Sequence, residues 1–357
     1  MATIDVLLPV KNGKAYLTEA IESIIQQSYA DWRLIVLDHG SDDGSYETSL
    51  EYARKDSRVQ VFQFLDAVGL SGLLNKGLEL CDCQFVMRHD ADDIALPDRM
   101  KLALAAFKSN PGIDVVGGHA IQIDAKGNET GLIRVPTDPA RLQVSFFFKN
   151  PMIHPATMIR FSAIKAMGIR YGIDFLKVLP ESERLKVNGL AEDYYLFGQL
   201  GIMGKCMNLD EYLIKYRWHG ENVGAKKAFD QITLSLKISR YLAAAFCTKN
   251  RIELFDPAPF CTYSGTLINL QPSSEKTDLL KSFNYLSTNL VKAMGQSDGL
   301  ARELAFRSVL TTRNNFWLLV KFLRFKLRFK ADLEEWYAIK SWITRYIKKR
   351  PTISIDA

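Results

Sequence analysis

"LIVLDHGSDDGS", residues 34–45, sets four apolar residues directly against a loop that holds three aspartates, two glycines and a histidine. An apolar run this short, bounded by turn residues, reads as a strand buried on both faces, and the polar loop marks where it leaves the sheet. Upstream, the apolar run 4–8 ends at Pro9, and Leu17, Ala20, Ile21, Ile24 and Ile25 then recur at helical spacing. Downstream come a β-rich run at 59–64, a helical stretch at 69–80, a strand at 85–87, a helix after Pro97 and a further apolar run at 113–116. Strand and helix alternating over short links predict an α/β fold with a doubly wound, mostly parallel sheet, whose ligands gather beyond the strand C-termini. Two acidic clusters, 38–43 and 89–93, fall at such ends, so the fold should bring them to one rim.

The rest of the chain is looser. "IDAKGN" at 123–128 reads as a hairpin turn and "VPTDPARLQ" at 135–143 as a loop into a helix. Beyond about residue 222 the pattern is mainly helical, which places a boundary near 225: a catalytic domain over 1–225 and a helical region over 226–357. The chain of 357 residues with 47% hydrophobic residues is large enough to bury real cores. Five cysteines form neither a CxxC pair nor a spaced Cys/His set, so reduced thiols are expected. The N-terminus lacks the pattern of a signal peptide and no 18-residue apolar run occurs, which predicts a cytoplasmic protein. Residues 313–350 hold eleven Lys/Arg against three Asp/Glu, a local +8 that leaves about −2 of the net +6 for the remainder. The main domain is therefore no nucleic-acid binder.

"MRHDADDIALPDRM", residues 87–100, places Asp90, Asp92 and Asp93 at the mouth of a strand. Carboxylates so close repel one another, and a hard cation such as Mg²⁺ or Mn²⁺ held with phosphate oxygens would settle them; a solvated loop capping the next helix is the alternative. With these residues on the page, the chain resembles a family 2 glycosyltransferase of GT-A fold over roughly residues 1–225. The matching blocks run in order: 9–45, 69–81 (GLSGLLNKGLELC), 88–100, 150–160 (NPMIHPATMIR), 189–201 (GLAEDYYLFGQLG) and 216–223 (YRWHGENV).

That resemblance implies a DxD motif, Asp90-Ala91-Asp92, which holds Mn²⁺ or Mg²⁺ on the diphosphate of a nucleotide sugar, with Asp92 the more direct ligand. It implies Asp193 as general base, Glu192 beside it orienting the acceptor, and inversion at the anomeric carbon. His219 matches a late histidine that reaches back to the metal, and Arg217 offers a fork of donors to the pyrophosphate. Pro9, Val10, Asn12, Asp38 and His39 are assigned to the nucleoside, Asn75 and Arg88 to the base and diphosphate side, and His154 to the sugar or acceptor pocket. Ser41, Asp43 and Gly44 are read as shaping the turn and capping the next helix.

Two features depart from the family pattern. His39 stands where a second aspartate would accept the uracil imide N–H; a neutral imidazole can still accept it, without the charge that strengthens such a bond. Segment 170–190 is longer than the usual link into the Glu192-Asp193 pair and lies where an acceptor would bind. The acceptor implied is a cell-surface glycan, free or lipid-linked, in lipopolysaccharide, capsule or a similar polymer.

The tail "FWLLVKFLRFKLRFK" (316–330) mixes large apolar residues with Lys and Arg, and Trp336, Ile339, Trp342, Ile343, Tyr346 and Ile347 fall in one helical arc that leaves out Arg345, Lys348 and Lys349. Such a pattern suits an anionic membrane, here the cytoplasmic face of the inner membrane, or a helix packed on protein; a homo-oligomer stays open. Two other functions also stay open, a sugar-nucleotide nucleotidyltransferase and a non-catalytic glycosyltransferase-like partner.

Overall fold

The computed structural model describes residues 2–219, 227–263, 266–267, 269–271, 279–311, 315–331, 335–336, 339–340, 343–344 and 354–356. Strand β1 (Ile4–Val10) is buried throughout and pairs in parallel with β2 (Trp32–Asp38) and with β4 (Phe85–Arg88), while β3 (Val59–Gln63) extends the sheet beyond β2. The connecting helices are α1 (Lys14–Ile25), α2 (Ser45–Lys55) and α3 (Gly69–Leu80). Leu17, Ala20, Ile21 and Ile24 of α1 are all buried, as the helical spacing requires. A charged residue inside the first strand is accommodated because Asp5 is fully paired: its oxygens accept from Arg33 Nε at 2.7 Å and from the backbone N–H groups of Asp82 and Cys83 at 3.0 Å each.

The sheet continues through β5 (Ile94–Ala95), β6 (Val115–Ile123), β7 (Glu129–Ile133), β8 (Met158–Arg160) and β9 (Cys206–Arg217) in the order β3-β2-β1-β4-β8-β6-β9-β5, with β7 on β6. Strands β1 to β4 pair only in parallel with one another, and β6 pairs with β9 in parallel; β8 runs antiparallel to both β4 and β6 and so joins the two halves. Helices α4 (Arg99–Ser109), α5 (Pro139–Ser145), α6 (Phe161–Met167) and α7 (Glu192–Gly201) complete this part. The β6–β7 turn closes as a hairpin, with Asp124 accepting from the N–H groups of Lys126 and Asn128. Asp138 caps α5 by accepting from Arg141 N at 2.8 Å, with Pro139 in the first turn.

The C-terminal helices are α8 (Ala228–Asn250), α9 (Leu279–Met294), α10 (Asp298–Leu310) and α11 (Asn315–Arg328). The point near 225 lies outside the described residues. On either side of it, one hydrophobic core is shared: Phe146, Tyr195 and Phe197 from the first part pack in the same cluster as Leu242, Phe246, Leu286 and Leu300. Buried charges tie the parts as well, since Arg141 of α5 pairs with Glu303 at 3.3 Å and Glu335 at 2.9 Å, and Glu303 pairs with Arg307 at 2.7 Å. All five cysteines are buried and free. Among the described residues no helix is long and apolar enough to cross a membrane.

Candidate functional site

The second acidic loop leaves β4 and lies on a buried basic layer. Arg99 of α4 is buried and donates to the carbonyl of Arg88 at 2.6 Å and to His89 Nδ1 at 3.3 Å. The other ring nitrogen of His89 faces Ser23 Oγ at 3.4 Å, and that hydroxyl donates to Ala20 O at 2.8 Å. Burial, with Arg99 and Arg88 nearby, holds His89 neutral, and burial lowers Arg99 to about 9. Arg88 forms an ion pair with Asp90 whose angles are not those of a hydrogen bond, and it donates to His89 O.

Above this layer the carboxylates are short of donors. One oxygen of Asp90 and one of Asp93 are buried without a hydrogen bond. Burial, then Asp92 and Asp193 against the opposing pull of Arg88, raises Asp90 to about 6; burial together with Asp90 and Asp92 raises Asp93 well above the carboxylate range. Asp92 Oδ2 lies 3.0 Å from His219 Nε2, which stacks on Tyr16. One oxygen each of Asp90, Asp92 and Asp93 cluster within 4.8 Å. These residues fit a hard divalent cation: acidic oxygens lack donors, and the 3.0 Å separation of Asp92 and His219 is about that between neighbouring ligands of an octahedral ion.

The carboxylate pair opens α7. Glu192 is buried, and burial followed by repulsion from Asp193 pushes it up to about 7; Asp193 is likewise raised, chiefly by burial. Asp193 Oδ2 accepts from Asn150 Nδ2 at 2.8 Å and Oδ1 from Tyr194 N at 2.7 Å, which fixes the carboxylate plane. Ala191, just before the pair, holds a φ of 51°, a left-handed conformation that costs about 1 kcal/mol for a non-glycine residue. Asn150 was not singled out as a site residue by sequence reading. Its place beside Pro151 in the 150–160 block is the only signal that could have found it.

One cleft of about 510 Å³ is lined by Arg88, Asp90, Asp92, His154, Glu192, Asp193, Tyr216 and His219, together with Met152 and Gly189 to Ala191. His154 is held neutral there by burial and then Arg88, and its Nε2 meets Tyr171 OH at 3.0 Å.

The first acidic loop is built differently, and several expectations change with it. Asp38 is buried; its Oδ2 accepts from Gly40 N, Ser41 N and Gln63 Nε2 and so shapes the loop, while its Oδ1 is buried without a hydrogen bond. Asp43 accepts from Lys14 N, Ser45 N and Ser45 Oγ and so serves the first turns of both α1 and α2. Asn12, at φ 54°, is stitched to the same loop: its N–H donates to Ser41 Oγ and its Oδ1 accepts from Asp42 N. A Cβ on Gly13 would stand 3.6 Å from Ala91 Cβ, which puts this double loop against the DxD motif. Within the loop Val10 O accepts from His39 N, next to Pro9.

Asn75 and Arg217 are not among the residues that line the cleft. Asn75 exchanges both of its amide bonds with the backbone of Tyr171, at 3.1 and 2.8 Å, and so anchors segment 170–190. Arg217 is buried: it pairs with Glu19, donates to Asp92 O at 2.8 Å and to Asp124 O, and lies over the Tyr16 ring. It pins the DxD loop to α1 and to the β6–β7 turn. Segment 170–190 is itself tightly held, with Asp174 bonded to Tyr241 OH at 2.6 Å and Gln199 accepting from Phe175 N.

The chain was compared with known proteins. Residues 5–168 match the family described as "Glycosyl transferase family 2". An uncharacterized glycosyltransferase of Haemophilus influenzae is 26% identical over 284 residues, covering 79% of this chain and 84% of the relative. The O-antigen biosynthesis glycosyltransferase WbnJ of Escherichia coli is 27% identical, over 61% of this chain and 81% of that one. In fold, the chain resembles Staphylococcus aureus TarS 1-349 solved in complex with UDP-GlcNAc, with a TM-score of 0.52, 17% identity and coverage of 98% of this chain and 82% of that one. The sheet, the ordered blocks and the family match agree: residues 5–168 form a glycosyl transferase family 2 domain, the fold is that of GT-A proteins, and the protein is a glycosyltransferase.

Proposed function

We propose that this enzyme moves a sugar, with inversion, from a nucleotide-sugar donor to a hydroxyl of a growing cell-surface glycan, free or lipid-linked, and that it depends on a divalent metal. The observation that carries the reading is the cleft in which Asp90, one of whose oxygens is buried without a hydrogen bond, stands with Asp92 and His219 while Asp193 is oriented by Asn150. Asp90, Asp92 and His219 would hold Mn²⁺ or Mg²⁺, which when bound supplies positive charge to the departing diphosphate.

Asp193 takes the proton of the acceptor hydroxyl as that oxygen bonds to the anomeric carbon and the bond from that carbon to the phosphate oxygen breaks. Its raised pKa suits it to receive a proton at neutral pH, and its two fixed oxygens leave lone pairs for the acceptor. Glu192, half protonated near pH 7, can donate to or accept from a second acceptor hydroxyl. His154, neutral and held by Tyr171, offers shape and a weakly polar wall to the sugar.

A UDP-sugar is the proposed donor, with His39 reading the base. A carbonyl can only accept, so the 2.8 Å contact with Ala67 O places a proton on Nε2 of His39, and in the neutral ring Nδ1 is then the acceptor that an imide N–H requires. Surface polysaccharide as the product rests on the similarity to WbnJ. The test is a screen of UDP, GDP, dTDP and CDP sugars for thermal stabilisation and donor hydrolysis with and without Mn²⁺. Stabilisation by UDP-sugars that needs Mn²⁺ is the expected result. Binding of none of them would overturn the donor site, and metal-free hydrolysis at full rate would overturn the metal.

A further inference from the structure

Among the described residues, helix α11 is fastened to the body along one side. Leu318 and Phe325 are buried, Phe322 is partly so, and they pack with Phe306, Val309 and Leu310 of α10. That helix is in turn locked to the catalytic part through buried Arg307, Glu303 and Arg141. The orientation of α11 is therefore set by the core and is not adjustable at the surface.

Its opposite side is apolar. Leu319, Leu323 and Leu327, spaced four apart on one face, are 56%, 47% and 87% exposed, and Phe316 continues the row at 66%. Lys326 lies on one flank of this row, and Arg324 and Arg328 lie on the other. From 315 to 331 the sequence holds five Lys/Arg and no Asp or Glu.

A row of exposed leucines on a folded surface calls for an occupant, and the charges choose it. A second copy of this face would set its three flanking cations against three, with no acid between 315 and 331 to relieve them. A bilayer surface rich in anionic lipid meets cations on both flanks at once, while the leucines enter the boundary between headgroups and acyl chains. Fourteen residues give about 21 Å of helix, enough to lie flat and too short to span the hydrocarbon.

We infer that the outward face of α11 is a docking surface for an anionic lipid bilayer. The leucine row supplies the apolar insertion, the flanking arginines and lysine supply the preference for anionic lipid, and the buried ion pairs hold the enzyme in one orientation above the surface. This inference does not depend on the donor or the base.

The test is flotation of the full chain with vesicles of equimolar phosphatidylglycerol and phosphatidylcholine, and with vesicles of phosphatidylcholine alone. The wild type should float with the first and not with the second. Replacing Leu319, Leu323 and Leu327 together by serine should reduce binding at least ~10-fold, with an unchanged melting temperature because these side chains face outward. Arg324→Gln with Arg328→Gln should reduce binding to the anionic vesicles by ~30-fold and make the binding that remains less sensitive to salt. The inference is overturned if the wild type stays in the buffer with both vesicles, or if the serine variant floats as well as the wild type. It is also overturned if the row instead supports self-association, seen as a wild-type dimer that the serine variant turns into a monomer without any vesicle binding.

Discussion

Two acidic loops leave the sheet one strand apart, after β2 and after β4, and they have opposite electrostatic fates. In the first, burial would raise Asp43, but hydrogen bonds from Ser45 and from Lys14 N outweigh it and hold the carboxyl below its usual range. In the second, burial and the neighbouring carboxylates raise Asp93 and Asp90, and hydrogen bonds do not compensate. Similar composition thus builds a self-contained turn in one place and an unfinished cation site in the other. The difference is the supply of backbone N–H groups: the first loop faces two helix N-termini, whereas the second sits on Arg99, which points at a carbonyl, and on Arg88, which divides its guanidinium between His89 O and an ion pair with Asp90. Each loop keeps a buried acidic oxygen without a hydrogen bond, Asp38 Oδ1 in the first and Asp90 Oδ1 and Asp93 Oδ2 in the second, so the contrast lies also in the crowding of three carboxylates in the second loop.

The sharpest way to break this contrast is substitution in the unfinished loop. Asp92→Asn should lower kcat by ~10³-fold with little loss of stability, read by donor turnover alongside a thermal melt; a variant of normal activity would remove the contrast outright. A comparable fall, ~10²- to 10⁴-fold, is expected for Asp193→Asn, and Asn150→Ala should cost less because it only orients that carboxylate.

The self-contained loop should answer in the other currency. Asp38→Ala removes the acceptor of three hydrogen bonds and should cost about 3 kcal/mol of stability, measured by urea denaturation, and its activity should fall only as far as its folding does. Equal losses of stability in the Asp92 and Asp38 variants would show that both loops are structural.

A pH-dependent test follows from Glu192. Its folded carboxyl keeps its proton to about pH 7, against 4.5 for the ordinary side chain, so between those values the folded state holds more protons than the unfolded one. Stability is therefore greatest below pH 4.5 as far as this group is concerned, and it is lost as pH rises through 7. Glu192→Gln should then be more stable than wild type at pH 8 by on the order of 2 kcal/mol and no more stable at pH 4.5. The smallest effect expected is that of His39→Ala, a weakening of UDP binding by about 1 kcal/mol, detected by calorimetry.

Much of this architecture was legible in the sequence because period and spacing are local. The helical stretch at 69–80 and the strand at 85–87 were found within a residue of their ends, the "IDAKGN" hairpin formed, and the DxD and Glu-Asp blocks converge on one cleft. What the sequence did not disclose was the set of protein partners that the polar side chains already have. Asn75 and Arg217 carry the right chemistry for a nucleotide, yet Tyr171 backbone and the DxD loop itself take up those donors. Nothing in the neighbouring residues signals this, since the partners lie 96 and 125 positions away. Asn150 was missed for the same reason.

The tail divides in the same way. Its mixture of leucine and arginine is plain in the chain, but only the packing decides that Leu318 and Phe325 face α10 while Leu319, Leu323 and Leu327 face outward. Trp342, Arg345, Tyr346, Ile347, Lys348 and Lys349 lie outside the described residues, whereas Ile339 is buried with the α10–α11 cluster.

The sequence by itself determined the α/β sheet, the acidic strand ends and the kind of reaction they serve, because hydrophobic period and motif order are written in consecutive residues. Only the tertiary structure decided which carboxylates are satisfied, which cations are struts and which leucines stay in water, because hydrogen-bond donors and burial reach each side chain from distant parts of the chain.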